Sequence, residues 1–188
     1  SNKKRRLWTG DAIGSSDVAA ILGVDAFRNK ADVYWSKVQQ LDTPENDAMD
    51  AGTRFEPVVI DWLEEQVGII GRNVVKVHPK WPDVPIRVNC DGIILADERP
   101  AEGKTSGLLG PTKEQWGDDM TADVPDRVLV QCHALMLCTE RELCKVAAFI
   151  GRRGFARFQI PRNDKLAEII ERDVVRFWTE NVLVEVAP

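Results

Sequence analysis

The sequence has no apolar run near the roughly 18 residues that suggest a membrane-spanning helix. The opening SNKKRRLW is basic, but no apolar segment follows it, so it does not read as a secretory signal. No Cys-x-x-Cys pair occurs: the four cysteines are Cys90, Cys132, Cys138 and Cys144, the last three spaced by six. Only His78 and His133 could complete a zinc site, which normally uses tight cysteine pairs. The preferred reading is therefore four buried, reduced thiols in a cytoplasmic protein, rather than a zinc or iron–sulfur centre. Repeats and low-complexity segments are absent. So is a surplus of cations: 25 Lys and Arg stand against 30 Asp and Glu, a net charge of −5. That balance argues against coating nucleic acid through bulk charge, but not against gripping a phosphate locally around metal ions.

What is present fits one domain over residues 1–188 with no membrane association. The length is within the usual range for a single domain. A chain of this size buries roughly 70% of its extended surface without staples. At 44% hydrophobic and 29% charged, the composition is that of a globular protein. Cations gather at Lys3, Lys4, Arg5 and Arg6, in a basic arm over 1–8, and again at Arg152, Arg153, Arg157 and Arg162. The Gly-, Pro- and Asp-rich stretch 106–127 reads as a loop inside the domain.

Helical and strand periodicities divide the chain. Ser15-Ser16-Asp17 opens a short helix toward Leu22, stopped by Gly23. Residues 30–40 and 46–67 read as helices. The second carries Gly52, Phe55, Glu56, Val59, Ile60, Leu63 and Val67 on one face. Residues 72–78 read as a strand in which Val75 and Val77 alternate with polar neighbours. Ile86, Val88 and Cys90 alternate likewise until Asp91-Gly92 ends or bends the run, and Ile93-Ile94-Leu95 continues it. Residues 100–105 form the next strand, and 125–138 a helix with Val128, Cys132, Leu135 and Met136 inward. A hairpin follows, 143–150 and 155–160, turning at Gly151-Arg152-Arg153-Gly154. The last helix starts with Asn163 as its cap. This order predicts an α/β domain with a central sheet.

The informative residues are acids in apolar surroundings. Asp91 sits between Val88-Asn89-Cys90 and Gly92-Ile93-Ile94. Glu102 and Lys104 are two apart on the next strand, so they share a face, about 6–7 Å apart along it. Glu56 rides on the apolar face of the long helix. A charge buried without a partner is costly, so such groups are exposed, paired or bound to metal. Phosphodiester hydrolysis uses this set: Mg²⁺ takes one or two carboxylates plus water and phosphate oxygens, with a cation or base near the attacking water. On its own, Asp-x(10)-Glu-x-Lys reads more readily as a turn and a surface ion pair, because short motifs have many false positives.

The surrounding motifs change that balance. Ile13-Gly14-Ser15-Ser16-Asp17-Val18-Ala19-Ala20-Ile21-Leu22-Gly23 resembles the opening motif of the YqaJ-like phage recombination nucleases. Gly52-Thr53-Arg54-Phe55-Glu56-Pro57 resembles their G-x-x-x-E-P helix. Cys90-Asp91-Gly92, Glu102-Gly103-Lys104-Thr105 and Val130-Gln131-Cys132-His133 follow in the family's order. The resemblance is to lambda-exonuclease-type members of the PD-(D/E)xK superfamily. It departs in two places: Asn89 and Cys90 stand where a proline would precede Asp91, and Gly103 stands where an apolar residue is more usual.

The resemblance implies a restriction-endonuclease-like fold, a central mixed β-sheet flanked by helices. Asp91 and Glu102 match the metal-bridging carboxylates, the Gly103 carbonyl a further ligand, and Glu56 the helical acid. Lys104 matches the lysine that orients or helps deprotonate the attacking water, and Gln131 the glutamine that supports the site. Ser15 and Ser16 match a 5′-phosphate pocket, consistent with hydroxyls and amides at a helix start; Arg5, Arg6 and Arg28 would add charge there. Arg152, Arg153 and Arg157 would line a DNA channel or solvate a hairpin tip. The implied activity is Mg²⁺-dependent 5′-to-3′ digestion of double-stranded DNA ends, with Mn²⁺ as a substitute, leaving 3′ overhangs for recombination. The implied assembly is a homotrimer working with a single-strand annealing protein in the host cytoplasm. Two alternatives stand beside it: an endonuclease or resolvase using the same site, and a catalytically silent DNA-binding protein.

Overall fold

A computed structural model describes residues 12–39, 47–112 and 114–188. The basic arm, including Arg5 and Arg6, and Trp8 lie outside the described residues.

Three helices come first: α1 (Ser15–Ile21), α2 (Lys30–Val38) and α3 (Asp47–Val67). Strands β1 (Ile70–Val77), β2 (Arg87–Ile94) and β3 (Pro100–Ser106) follow, then α4 (Asp126–Thr139), the hairpin β4 (Leu143–Ile150) and β5 (Gly154–Pro161), and α5 (Asp164–Phe177). The sheet runs β1-β2-β3-β4-β5. All neighbours are antiparallel except β3 and β4, which are parallel. A parallel pair needs a long crossover, and α4 supplies it. The α/β reading with a mixed sheet holds.

Side chains alternate across the strands and so build two cores. Val146 and Ala148 on β4 join Val18, Leu135 and Ile170 on the side of α1, α4 and α5. Ala147, between them, joins Val59, Ile60 and Leu63 of α3 on the other side. The apolar stripe of α3 thus covers one face of the sheet, as its spacing predicts. All four cysteines are buried and free, and burial pushes the Cys90 thiol up to about 12. Among the described residues, no helix is long and apolar enough to cross a membrane.

Three local details differ from expectation. Strand β2 runs unbroken through Asp91 and Gly92. Val75 and Val77 alternate as expected but are exposed, on the side of β1 opposite Val74, which packs against the core of α1, α4 and α5. Helix α1 is capped by Gly14 rather than by a serine: the Asp17 carboxylate reaches back to accept from the Gly14 amide at 3.0 Å. Both histidines are struts. His133 accepts from the Asn163 amide at 2.9 Å, and His78 accepts from the Lys80 amide at 3.0 Å while bonding Glu171 at 2.7 Å.

Asp17 is also the centre of a buried ion cluster that joins the first two helices. It pairs with Lys37 of α2 at 2.7 Å and with Arg28 of the connecting loop at 3.0 Å. Burial alone would raise its pKa, but Lys37, Arg28 and the Gly14 amide outweigh burial and hold it below the usual range. Its contribution is therefore present above the ordinary aspartate pKa and lost as pH falls through the lower folded value. Asp17→Asn leaves the Lys37 ammonium, 2% exposed, without its counter-charge. The expected loss is about 3–5 kcal/mol, read by urea unfolding at pH 7; a loss under 1 kcal/mol would contradict the cluster's role.

Candidate active site

The site begins with a fork in the sheet. Strands β2 and β3 pair only at Gly92–Ala101 and Ile93–Pro100, and then part. Gly92 fits this close crossing because a Cβ there would lie 2.4 Å from Ile70 Cγ2. On the other side of β2 the register with β1 skips the Asn73–Asp91 pair, where Asn73 takes a left-handed φ of 52°. Asp91 therefore stands where the ladder is open on both sides. Its Oδ2 bridges the fork by accepting from the Gly103 amide at 2.9 Å.

Glu102 is 2% exposed. Burial and then the Asp91 carboxylate push its pKa well above the ordinary glutamate range, and Glu56 adds to the effect. Lys104, two residues on, donates to Glu102 Oε1. Burial disfavours the Lys104 ammonium, but the charges of Glu102 and Asp91 outweigh burial and hold it protonated. Glu102 Oε2 is buried with no hydrogen-bond partner among the described residues.

Helix α3 brings Glu56 to the fork, and Gly103 permits that approach. A Cβ at Gly103 would meet Ile60 Cγ1 at 3.1 Å and Glu56 Cγ at 3.3 Å. The departure from the family's usual apolar residue thus has a steric reason here. Gly52, one turn earlier on α3, makes the same accommodation over Thr105, 3.0 Å from where its Cβ would sit.

These donors suit a hard divalent cation. Asp91, Glu102, Glu56 and the Gly103 carbonyl all offer oxygen donors, and an orphaned buried carboxylate oxygen beside a second carboxylate is short of positive charge. Among the described residues no three or more His, Cys, Asp or Glu side chains form a group placed to hold a metal ion. Mg²⁺ does not need such a group, because it keeps several waters.

The structure also places the other sequence-predicted residues. Gln131 of α4 donates from Nε2 to Ser15 Oγ at 3.4 Å, joining the start of α1 to the central helix. Ser15 is buried and Ser16 exposed. Arg28 pairs with Asp17. In the hairpin cluster, Arg153 bonds the Gly117 carbonyl, Arg157 bonds Asp119, and Arg162 bonds Asp164, whereas Arg152 is exposed. Most of that basic cluster therefore holds the chain's own loops. Trp116 packs on Phe158, with ring centroids 5.2 Å apart.

Sequence reasoning missed Glu114 and Arg127. Glu114 accepts from Ser106 at the end of β3 at 3.1 Å and from Arg127 of α4 at 2.9 Å. Arg127 also lies over the Phe27 ring, 5.7 Å from its centroid, and its charge acts on Lys104. The pair fixes the end of the Glu102–Lys104 strand against the helix that carries Gln131. The one available signal was spacing: Arg127 is four residues before Gln131, on the same helix face.

The same fold occurs in solved nucleases. The alkaline exonuclease LHK-Exo from Laribacter hongkongensis matches with a TM-score of 0.73 at 21% identity, covering 97% of this chain and 93% of that one. Its complex with dAMP matches with a TM-score of 0.72 at 22% identity, covering 95% and 91%. A phage-related exonuclease from Haemophilus somnus 129PT gives 0.61 at 10% identity, over 94% and 95%. Among curated proteins, the uncharacterized protein YqaJ of Bacillus subtilis strain 168 is 27% identical over a 182-residue alignment that covers 94% of this chain and 55% of that protein. The chain thus spans about half the length of this relative. The model of the YqaJ-like viral recombinase domain matches residues 4–142, and the motifs at Ser15, Glu56, Asp91 and Glu102–Lys104 all fall inside that span. The chain belongs to the YqaJ-like viral recombinase domain family.

Proposed function

We propose that the protein is a Mg²⁺-dependent deoxyribonuclease that digests linear double-stranded DNA from its 5′ ends and leaves 3′ overhangs for recombination. The observation that carries this reading is the fork between β2 and β3, with Asp91, the orphaned Glu102 oxygen and Lys104 in one place. The alkaline exonuclease and phage-related exonuclease that share the fold support it.

In this reading Asp91, Glu102 and the Gly103 carbonyl hold the ion, with Glu56 contributing directly or through water. The ion, with Mn²⁺ as a substitute, supplies charge to the phosphodiester and lowers the pKa of the attacking water. Lys104 acts as a donor that orients the water, because its neighbours hold it as an ammonium. Gln131 ties this centre to Ser15, and Ser16, which is exposed beside it, contacts the terminal phosphate. Arg28 adds charge there while Asp17 fixes its position. Assembly as a homotrimer and cooperation with a single-strand annealing protein belong to the same proposal, as does a single domain working in the cytoplasm.

End-labelled linear DNA should be degraded with Mg²⁺ and spared in EDTA, while closed circular DNA stays intact. Cutting of the closed circle would replace the exonuclease reading with an endonuclease, and no cutting of either would favour a silent DNA-binding protein. Lys104→Ala should lower kcat by about 10²–10⁴ without changing the circular dichroism spectrum; unchanged Mg²⁺-dependent cleavage would remove Lys104 from the mechanism. Gly103→Ala should raise the Mg²⁺ concentration needed for half-maximal rate by pushing α3 and Glu56 back. An unchanged Mg²⁺ requirement would show that Glu56 is not part of the centre.

A further inference from the structure

A second cluster of cations lies away from the fork, around a cavity of about 140 Å³ between the end of α3, the loop at Met120 and the β4–β5 hairpin. Its polar lining comes from Gln66, Lys145, Arg157 and Gln159. The hairpin register explains the grouping. Lys145 faces Gln159 and Ala147 faces Arg157, so these side chains share one side of the sheet.

The hydrogen-bond inventory around this cavity does not balance. The acceptors are engaged: Gln159 Oε1 accepts from Lys145 at 2.5 Å, and Gln66 Oε1 from Arg157 at 3.4 Å. Asp119 accepts from the Arg157 amide at 2.6 Å and from its guanidinium at 3.3 Å. The donors are not. Gln159 Nε2 reaches only the Met120 sulfur at 3.8 Å, a weak acceptor. Arg157 Nε is buried with no partner among the described residues. The Lys145 ammonium carries three N–H groups and, among the described residues, bonds Gln159 and forms no ion pair, Asp97 acting on it through its field alone. Burial pushes the Lys145 pKa down and the charge of Arg99 adds to that; Asp97 opposes it, and Arg157 adds a smaller effect in the same direction as burial.

We propose that this cavity binds an oxyanion of the phosphate class, with Lys145, Arg157 and Gln159 as donors. A charged group that only accepts hydrogen bonds supplies what the lining lacks, and charge-assisted bonds to it are the strong kind. The space exceeds that of a single water, whose share of liquid volume is about 30 Å³. Two sources offer the same chemistry: free phosphate, or a phosphodiester of bound DNA. None of its residues belongs to the fork, so a free-phosphate occupant stands apart from the nuclease reading, whereas a DNA phosphodiester there rests on the DNA-binding part of it.

The test is thermal unfolding of the full chain in EDTA, titrated with inorganic phosphate at constant ionic strength, with chloride as the control. Tm should rise with phosphate in the wild type and in Lys104→Ala, and the shift should vanish in Lys145→Met. Should Lys145→Met fail to fold, Gln159→Leu carries the same expectation. A second arm measures binding to a short duplex in EDTA as a function of salt. If the occupant is a DNA phosphate, Lys145→Met lowers the slope of log K against log salt by about one; if it is free phosphate, the slope stays and only the Tm shift is lost. An equal Tm shift in Lys145→Met and wild type overturns the proposal. So does a shift lost only in Lys104→Ala, which would place the phosphate in the fork. No shift in the wild type together with an unchanged DNA slope overturns it as well.

Discussion

The structure is organised around a carboxylate that is buried before it is neutralised. Glu102 lies almost fully inside the protein, beside Asp91 and within the field of Glu56. Two like charges in a poorly solvated place cannot both ionise without compensation. Lys104 compensates one oxygen of Glu102, and the other has no partner among the described residues. A proton or a divalent cation has to supply the rest. That need is a structural constraint in itself, whatever reaction follows from it.

The remaining architecture holds this constraint in place. The two strands separate after Gly92–Ala101, and the Asp91 carboxylate spans the gap to the Gly103 amide. Glycines at 52 and 103 let α3 lie close enough to bring Glu56 in. On the opposite face α4 carries Gln131 to Ser15, and the Asp17–Lys37–Arg28 cluster fixes the segment that bears Ser15. The Glu114–Arg127 pair closes the loop after β3 against the same helix. Helices α3 and α4, on the two faces of the sheet, each place a polar side chain as well: Glu56 beside Gly103 and Gln131 against Ser15.

Periodicity made much of the fold legible, because the burial of α3 and α5 follows a helical stripe, whereas α4 is buried nearly all round as the crossover helix. Residue type singled out the three acids, since charges inside apolar runs need a reason, but Asp91, Glu102 and Lys104 on their own read more readily as a turn and a surface ion pair, and the surrounding family motifs tipped that reading. What could not be read was long-range pairing. Lys37 looks like an ordinary helical lysine until the fold sets it against Asp17, and Glu114 lies in a loop with no pattern to mark it. The second basic cluster was legible only as a grouping for the same reason: composition shows where Arg153, Arg157 and Arg162 are in the chain, not that they bond a loop carbonyl and acids nearby. Gly103 read as a departure from the family pattern until the approach of α3 explained it.

We propose that the β2–β3 fork takes up a divalent cation for which Asp91 and Glu102 would be the ligands. Anomalous diffraction from crystals soaked in Mn²⁺ tests it most directly. The account predicts an anomalous peak between these two carboxylates, abolished in Glu102→Gln. A peak elsewhere on the chain with the fork empty, or a fork peak that survives Glu102→Gln unchanged, would contradict it.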